Sequence, residues 1–128
     1  MRDLWHPLIL TTLLHLVAIR YSPHRDYSII IILSTAFSVA WHLYEEPRNW
    51  LELADYTMAA IWLAYDIMMS VSTRYKSQIV LLNMAVMVLN RVSQFTGHYE
   101  IVHSFWHLVS AGKAVAVAWL LQDILVKK

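Results

Sequence analysis

The chain reads as five near-continuous apolar blocks, at about residues 4–20, 27–44, 53–72, 77–92 and 100–125, divided by short polar connectors. A membrane-spanning helix needs about 20 predominantly apolar residues, with a range of about 17–25. The second, third and fifth blocks reach that length, and the first and fourth are marginal. None shows the period-2 alternation of barrel strands, so the predicted elements are helices. The connectors YSPHRD, EEPRNW, STRYKS and QFTGHYE carry Pro23, Pro47 and Gly97 where helices should stop. Links this short force consecutive helices to lie antiparallel and leave no room for a second domain. The expected fold is all-α: a polytopic membrane helix bundle of about five transmembrane helices, forming a single domain over residues 1–128.

Composition supports that reading. The chain is 59% hydrophobic and 15% charged, whereas apolar residues make up roughly half of a soluble domain. There is no cysteine, hence no disulfide and no thiolate ligand, and any transition metal must be held by histidine and carboxylate. The first block begins almost at Met1, with no basic run before it and no small-residue cleavage site after it, so no cleavable signal peptide is expected. The net charge of +1 gives no reason to expect a nucleic-acid partner. With five crossings, Arg20, Arg25, Arg74, Lys76, Lys127 and Lys128 fall on one side. Arg2, Arg48 and Arg91 fall on the other, with Asp3, Glu45, Glu46, Glu52 and Glu100. The positive-inside rule then places the C-terminus in the cytoplasm and the N-terminus outside or in a lumen.

The chemistry concentrates in HSFWH, which sets His103 and His107 four residues apart on one helix face. Ionisable groups at membrane depth are costly and usually mark a functional site facing the bundle interior. Crossing parity brings His42, late in the second helix, and Asp55, early in the third, to the same outer level. Ser38 lies one turn before His42 on the same face. Three imidazoles with a water in the fourth position form a catalytic zinc arrangement, so Zn2+ is the expected cofactor. Asp55 would then take the water's proton, and Ser38 would orient that water or donate to the developing oxyanion.

Plainer roles exist for each residue. The histidines would serve as buried hydrogen-bonding rings, Asp55 as a favourable charge near a helix N-terminus, and Ser38 as a hydroxyl bonded to a carbonyl one turn earlier. Asp66 and Lys113 suit a structural ion pair inside the bundle. Asn83 and Asn90 suit interhelical hydrogen bonds. His24 reads as solvated in a basic turn, and His15 as a buried histidine towards the cytoplasmic half. Met68, Met69, Met84 and Met87 read as lipid-facing or packing residues.

Taken in order, Ser38-x-x-x-His42, then Asp55, then His103-x-x-x-His107 resemble the signature of the CREST superfamily, which includes alkaline ceramidases, adiponectin and progestin receptors, and myomaker. The resemblance implies that His42, His103 and His107 bind zinc and that Ser38 and Asp55 complete a hydrolase site. Its substrate would be a membrane lipid carrying an amide or ester bond, a sphingolipid or N-acyl lipid. Seven helices are typical of the family; losing two between the third and the last keeps the parity. No counterpart of the ceramidases' acidic calcium-binding N-terminal segment is present, so ceramide specificity does not carry over. Five short helices leave exposed packing surface that a homodimer would cover. Two other readings remain: a receptor, scaffold or fusion factor with structural zinc, and a haem- or pigment-binding bundle. The i, i+4 pairing disfavours the pigment reading, because axial ligands to one haem usually come from different helices.

Overall fold

In the computed structural model, which describes residues 1–126, every regular element is a helix. Lys127 and Lys128, two of the cations on the expected cytoplasmic side, lie outside the described residues. Helix α1, Pro7–Leu13, runs on into a 3₁₀ segment, Leu14–Tyr21. Then follow α2 (Arg25–Leu43), α3 (Trp50–Ser70), α4 (Lys76–Gln94), α5 (Tyr99–Leu121) and a last turn, α6 (Asp123–Val126). All five apolar blocks are thus helical.

The first segment changes its winding for a local reason. Pro7 begins α1, where its missing N–H costs nothing, and the His6 ring accepts from the Leu8 amide at 3.3 Å. Further on, the Nδ1–H of His15 donates to the Thr12 carbonyl at 2.8 Å. An α-helix would need that carbonyl for the amide of Leu16. With a side chain competing for it, the ladder tightens into eight residues of 3₁₀ helix, longer than the usual three or four.

Helix α5 is the centre of the bundle, packing on the first segment and on α4, while α2 packs on α3. Ala18 meets α5 where Ala111, Ala114 and Ala118 are buried, and small side chains let these two backbones approach closely. Around them Tyr27, Ile31, Trp62, Ile79, Val117 and Leu121 fill one half of the bundle. The other half is less filled, because α3 and α5 scarcely touch. A cavity of about 280 Å³ occupies the gap.

The two ends of the bundle follow the crossing parity. At one end, Arg2 pairs with Glu46 at 2.8 Å and with Glu100 at 3.0 Å, joining the start of the chain to the end of α2 and the start of α5. At the other, Gln122 donates to the Tyr21 carbonyl at 3.0 Å and Arg74 pairs with Asp123 at 3.8 Å. His24 is not left to solvent: its ring bonds the Tyr65 hydroxyl at 3.0 Å.

Between the ends runs a buried polar network. Lys113 donates to Asp66 at 3.2 Å and to Asn83 at 3.1 Å. Tyr27 donates to the other oxygen of Asp66 at 2.6 Å. Four helices, α2 to α5, are thereby tied through one carboxylate that no solvent reaches. The ion pair and the bond from Lys113 to Asn83 agree with the sequence reading. The carboxamide oxygen of Asn90, in contrast, has no protein partner.

Two helices are long and apolar enough to cross a membrane, Arg25–Leu43 and Tyr99–Val126. Helix α3, expected as a third clear span, is not among them; Glu52, Asp55 and Asp66 all fall within it and lower its hydropathy.

Removing one partner of a buried pair leaves an uncompensated charge, at a cost of about 3–5 kcal/mol. Lys113→Met is therefore expected to destabilise the bundle by about that amount in detergent unfolding experiments. The double variant Lys113→Met/Asp66→Leu should be more stable than Lys113→Met alone. A double variant as unstable as the sum of the singles would contradict the pairing.

Candidate metal centre

His42 is the second-last residue of α2, and His103 and His107 lie on the second and third turns of α5. The antiparallel arrangement brings both helix ends to one level. All three rings are buried, and one ligand atom from each lies within 4.8 Å of the others. The ring centroids form a near-equilateral triangle, with separations of 5.3 Å (His42–His103), 5.0 Å (His42–His107) and 4.8 Å (His103–His107). The Nε2 atoms of His42 and His107 are 2.9 Å apart.

The outer hydrogen bonds decide which nitrogens face inward. The Nδ1 of His42 lies 2.8 Å from a Glu46 carboxylate oxygen, an acceptor, so Nδ1 carries the proton and Nε2 is bare. Ser93 donates its hydroxyl hydrogen to the Asn90 carbonyl at 2.7 Å. Its oxygen, 2.9 Å from His103 Nδ1, must then accept from that ring, and His103 Nε2 is bare as well. Thr12 likewise spends its proton on the Leu8 carbonyl at 2.6 Å. It therefore accepts from His107 Nε2 at 3.1 Å. That assignment leaves His107 Nδ1 as a buried acceptor with no protein partner.

With that tautomer His107 Nε2–H faces the acceptor Nε2 of His42 at 2.9 Å, and a metal ion bound between the rings would take the place of that proton. Zinc binds imidazole at about 2.0–2.1 Å in a tetrahedron, whose ligand–ligand edge is about 3.3 Å. The spacing of the triad is compatible with that edge after small side-chain adjustments. Metal-binding histidines almost always donate their other ring N–H to a carboxylate, carbonyl or water, as His42 does to Glu46. The donor set of His42, His103 and His107 thus fits a divalent transition metal.

The flanking residues shape the surroundings. Tyr99 stacks on His103 at 4.7 Å, Trp106 lies 4.8 Å from the same ring, and Trp41 lies 5.1 Å from His42. These rings pack against His42 and His103 and leave His103 and His107 open to the cavity. Ser38 and Asp55 interact side chain to side chain and line the cavity together with His103 and His107. Asp55 does not cap α3: that role falls to Asn49, which accepts from the Leu51 amide at 2.9 Å. His15 lies nearer the triad than its sequence position suggested. Its Nε2 bonds Ser110 at 3.0 Å, and its ring is 5.8 Å from that of His107. Asp66 does not line the cavity; Lys113 and Asn83 do.

Sequence reasoning missed Thr12, Ser93, Glu46 and Arg2 as partners of the cluster. Glu46 had a readable signal, its spacing of four from His42. The other three had none, because their contacts depend on how distant helices meet. Burial acts to raise the Glu46 carboxyl, but the hydrogen bond from His42 and the adjacent Arg2 guanidinium hold it below the usual carboxylate range.

A ligand that binds only the folded state at 100 times its Kd stabilises by about 2.7 kcal/mol. Zinc is accordingly expected to raise the thermal midpoint of the purified protein, and His42→Ala should abolish the rise. An unchanged midpoint across a zinc titration would argue against a metal centre. Comparison with protein-family models, with curated proteins and with solved structures finds no match for this chain.

Proposed function

We propose that this chain is a membrane-embedded zinc hydrolase of the CREST kind, cleaving an amide or ester bond of a membrane lipid. The observation that carries the reading is the cluster of three buried imidazoles, two of which, His103 and His107, line a cavity that Ser38 and Asp55 also line. These are the five residues of the CREST-like signature.

The exterior supports a lipid surrounding. Only 33% of the apolar stretch of α2, and the same share of α5, is buried inside the bundle, whereas the core helix of a soluble protein would be mostly buried. Large apolar side chains such as Leu33, Ile61, Leu81, Val88 and Phe105 point outward. They occupy the band between the two charged ends. In this reading all five segments span, the N-terminus is outside or luminal, and the C-terminus is cytoplasmic. Helix α3 then crosses because Asp66 is neutralised by Lys113 and Asp55 faces the cavity.

His42, His103 and His107 would hold the zinc. A zinc ion bound there supplies a Lewis acid, able to polarise a carbonyl oxygen and to lower the pKa of a nearby water. Asp55 accepts the proton of the water that attacks the acyl carbon and returns it to the departing amine nitrogen or alcohol oxygen as the bond breaks. Ser38 holds the Asp55 carboxylate towards the cavity and is placed to donate to the acyl oxygen. Apolar cavity residues Ala59, Ala60, Leu63, Val86 and Met87 accommodate hydrocarbon. The site lies about two turns below the helix ends, the depth of a linkage between headgroup and chain rather than of a bulk solute.

Zinc-loaded protein in vesicles is expected to release fatty acid from an N-acyl lipid, a sphingolipid or an ester lipid. Loss of a general acid–base typically costs 10²–10⁴-fold in rate, so Asp55→Asn should lower turnover by roughly that factor while retaining zinc. His103→Ala should lose both zinc and turnover. Zinc-replete protein that hydrolyses none of these lipid classes would transfer the metal to a structural role.

A further inference from the structure

Resting on the reading of the histidine cluster as a metal site, we infer that Arg2 and Glu46 are positioning residues for that metal, acting through His42. Their contribution is to fix one ligand's tautomer and to hold together the two helix ends that carry the ligands.

Glu46 lies beyond α2, in a turn where Glu45 and Glu46 have φ of 65° and 58°. Left-handed backbone is unfavourable for residues with a side chain and persists only where the surrounding structure requires it. The turn is closed by the Glu45 amide on the His42 carbonyl at 3.1 Å and the Glu46 amide on the Trp41 carbonyl at 2.9 Å. Its effect is to fold the Glu46 carboxylate back over the last turn of α2, 2.8 Å from His42 Nδ1. That bond places the proton on Nδ1 and leaves Nε2 bare towards His103 and His107. A carboxylate behind a ligating imidazole also raises the basicity of the ring.

Arg2 completes the arrangement. One guanidinium nitrogen donates to Glu46 at 2.8 Å and to the His42 carbonyl at 3.1 Å. The other donates to Glu100 at 3.0 Å, on the first turn of α5. Arg2 and Glu46 are mostly buried, with 15% and 17% of their side chains exposed, whereas Glu100 is 57% exposed. The fork therefore does two separable things: it holds the Glu46 carboxylate in place against His42 Nδ1, and it staples α2 to α5. The buried arm is the one that acts on the metal.

The test is zinc affinity measured on the full chain in detergent, with ¹⁵N shifts of the histidine rings recorded in the metal-free protein. Substituting a partner behind a metal ligand typically weakens binding about 10- to 100-fold, which is the loss expected for Glu46→Gln. Arg2→Ala should weaken zinc binding in the same range, and the double variant should be no weaker than the worse single. Arg2→Lys should recover part of the affinity. Glu100→Gln, which removes only the exposed arm, should change affinity by no more than about 3-fold. The wild-type His42 shifts should report the Nδ1–H tautomer, and Glu46→Leu should mix it with the Nε2–H form. Metal-free variants should keep wild-type helicity, and Arg2→Ala, which also loses the staple between α2 and α5, should have a lower thermal midpoint than Glu46→Gln, separating positioning from folding.

Equal affinity of wild type and Glu46→Gln overturns the inference and leaves the metal reading standing. A loss in Glu100→Gln as large as in Glu46→Gln overturns it too, by reducing Arg2 to a helix staple. Wild-type protein that binds no zinc removes the metal reading, and the inference with it.

Discussion

Three imidazoles buried against one another make the strongest demand in this bundle. A neutral ring has one nitrogen that donates and one that accepts, and both need partners in a dry interior. Three outward partners, Glu46, Ser93 and Thr12, settle two rings with their acceptor nitrogens facing in and leave the third with an orphaned acceptor. Such an arrangement is under-satisfied by protein alone. Much of the surrounding structure reads as support for it: aromatic rings pack against the imidazoles, and the charged cap at the chain start holds two helix ends in register.

The fold divides its labour along its length. In one half, alanines and large apolar rings pack closely around α5, and the Asp66–Lys113 pair locks four helices. In the other half, α3 and α5 part, and the space between them is where the hydroxyl, carboxyl and imidazole groups gather. The rigid half fixes the angle at which the helices diverge. Side chains placed on such elements are held more accurately than groups on loops.

Much of this was legible from residue order alone. Block lengths gave five helices, the short connectors gave antiparallel neighbours, and parity gave the shared level of His42, Asp55, His103 and His107. The i, i+4 rule gave the shared face of the last two. What stayed hidden was whatever needs two distant segments to be placed in space. Arg2 lies 40 residues from the His42 carbonyl it reaches, and nothing in its neighbourhood marks it. Ser93 is one of many serines until α4 is set against α5. Helix α3 was over-read as a clear span because its apolar count masked the three carboxylates it carries. The reversal at Glu45 and Glu46 was invisible for a different reason: the sequence offers no glycine there, and a left-handed turn built from two glutamates runs against local preference.

On the proposal that the bundle spans a membrane, the tightened winding of the first segment bears on how so short a stretch could take part. Fifteen residues, Pro7–Tyr21, form it, and as a uniform α-helix they would measure about 22 Å. Eight of them rise by about 2.0 Å each instead of about 1.5 Å, which extends the segment to about 26 Å. A hydrocarbon layer is about 30 Å thick, and a shortfall of a few ångströms is met by slight local thinning or by flanking side chains reaching outward. The ring of His15, by claiming a carbonyl from the backbone, thus stretches its own helix towards bilayer length with no added residue.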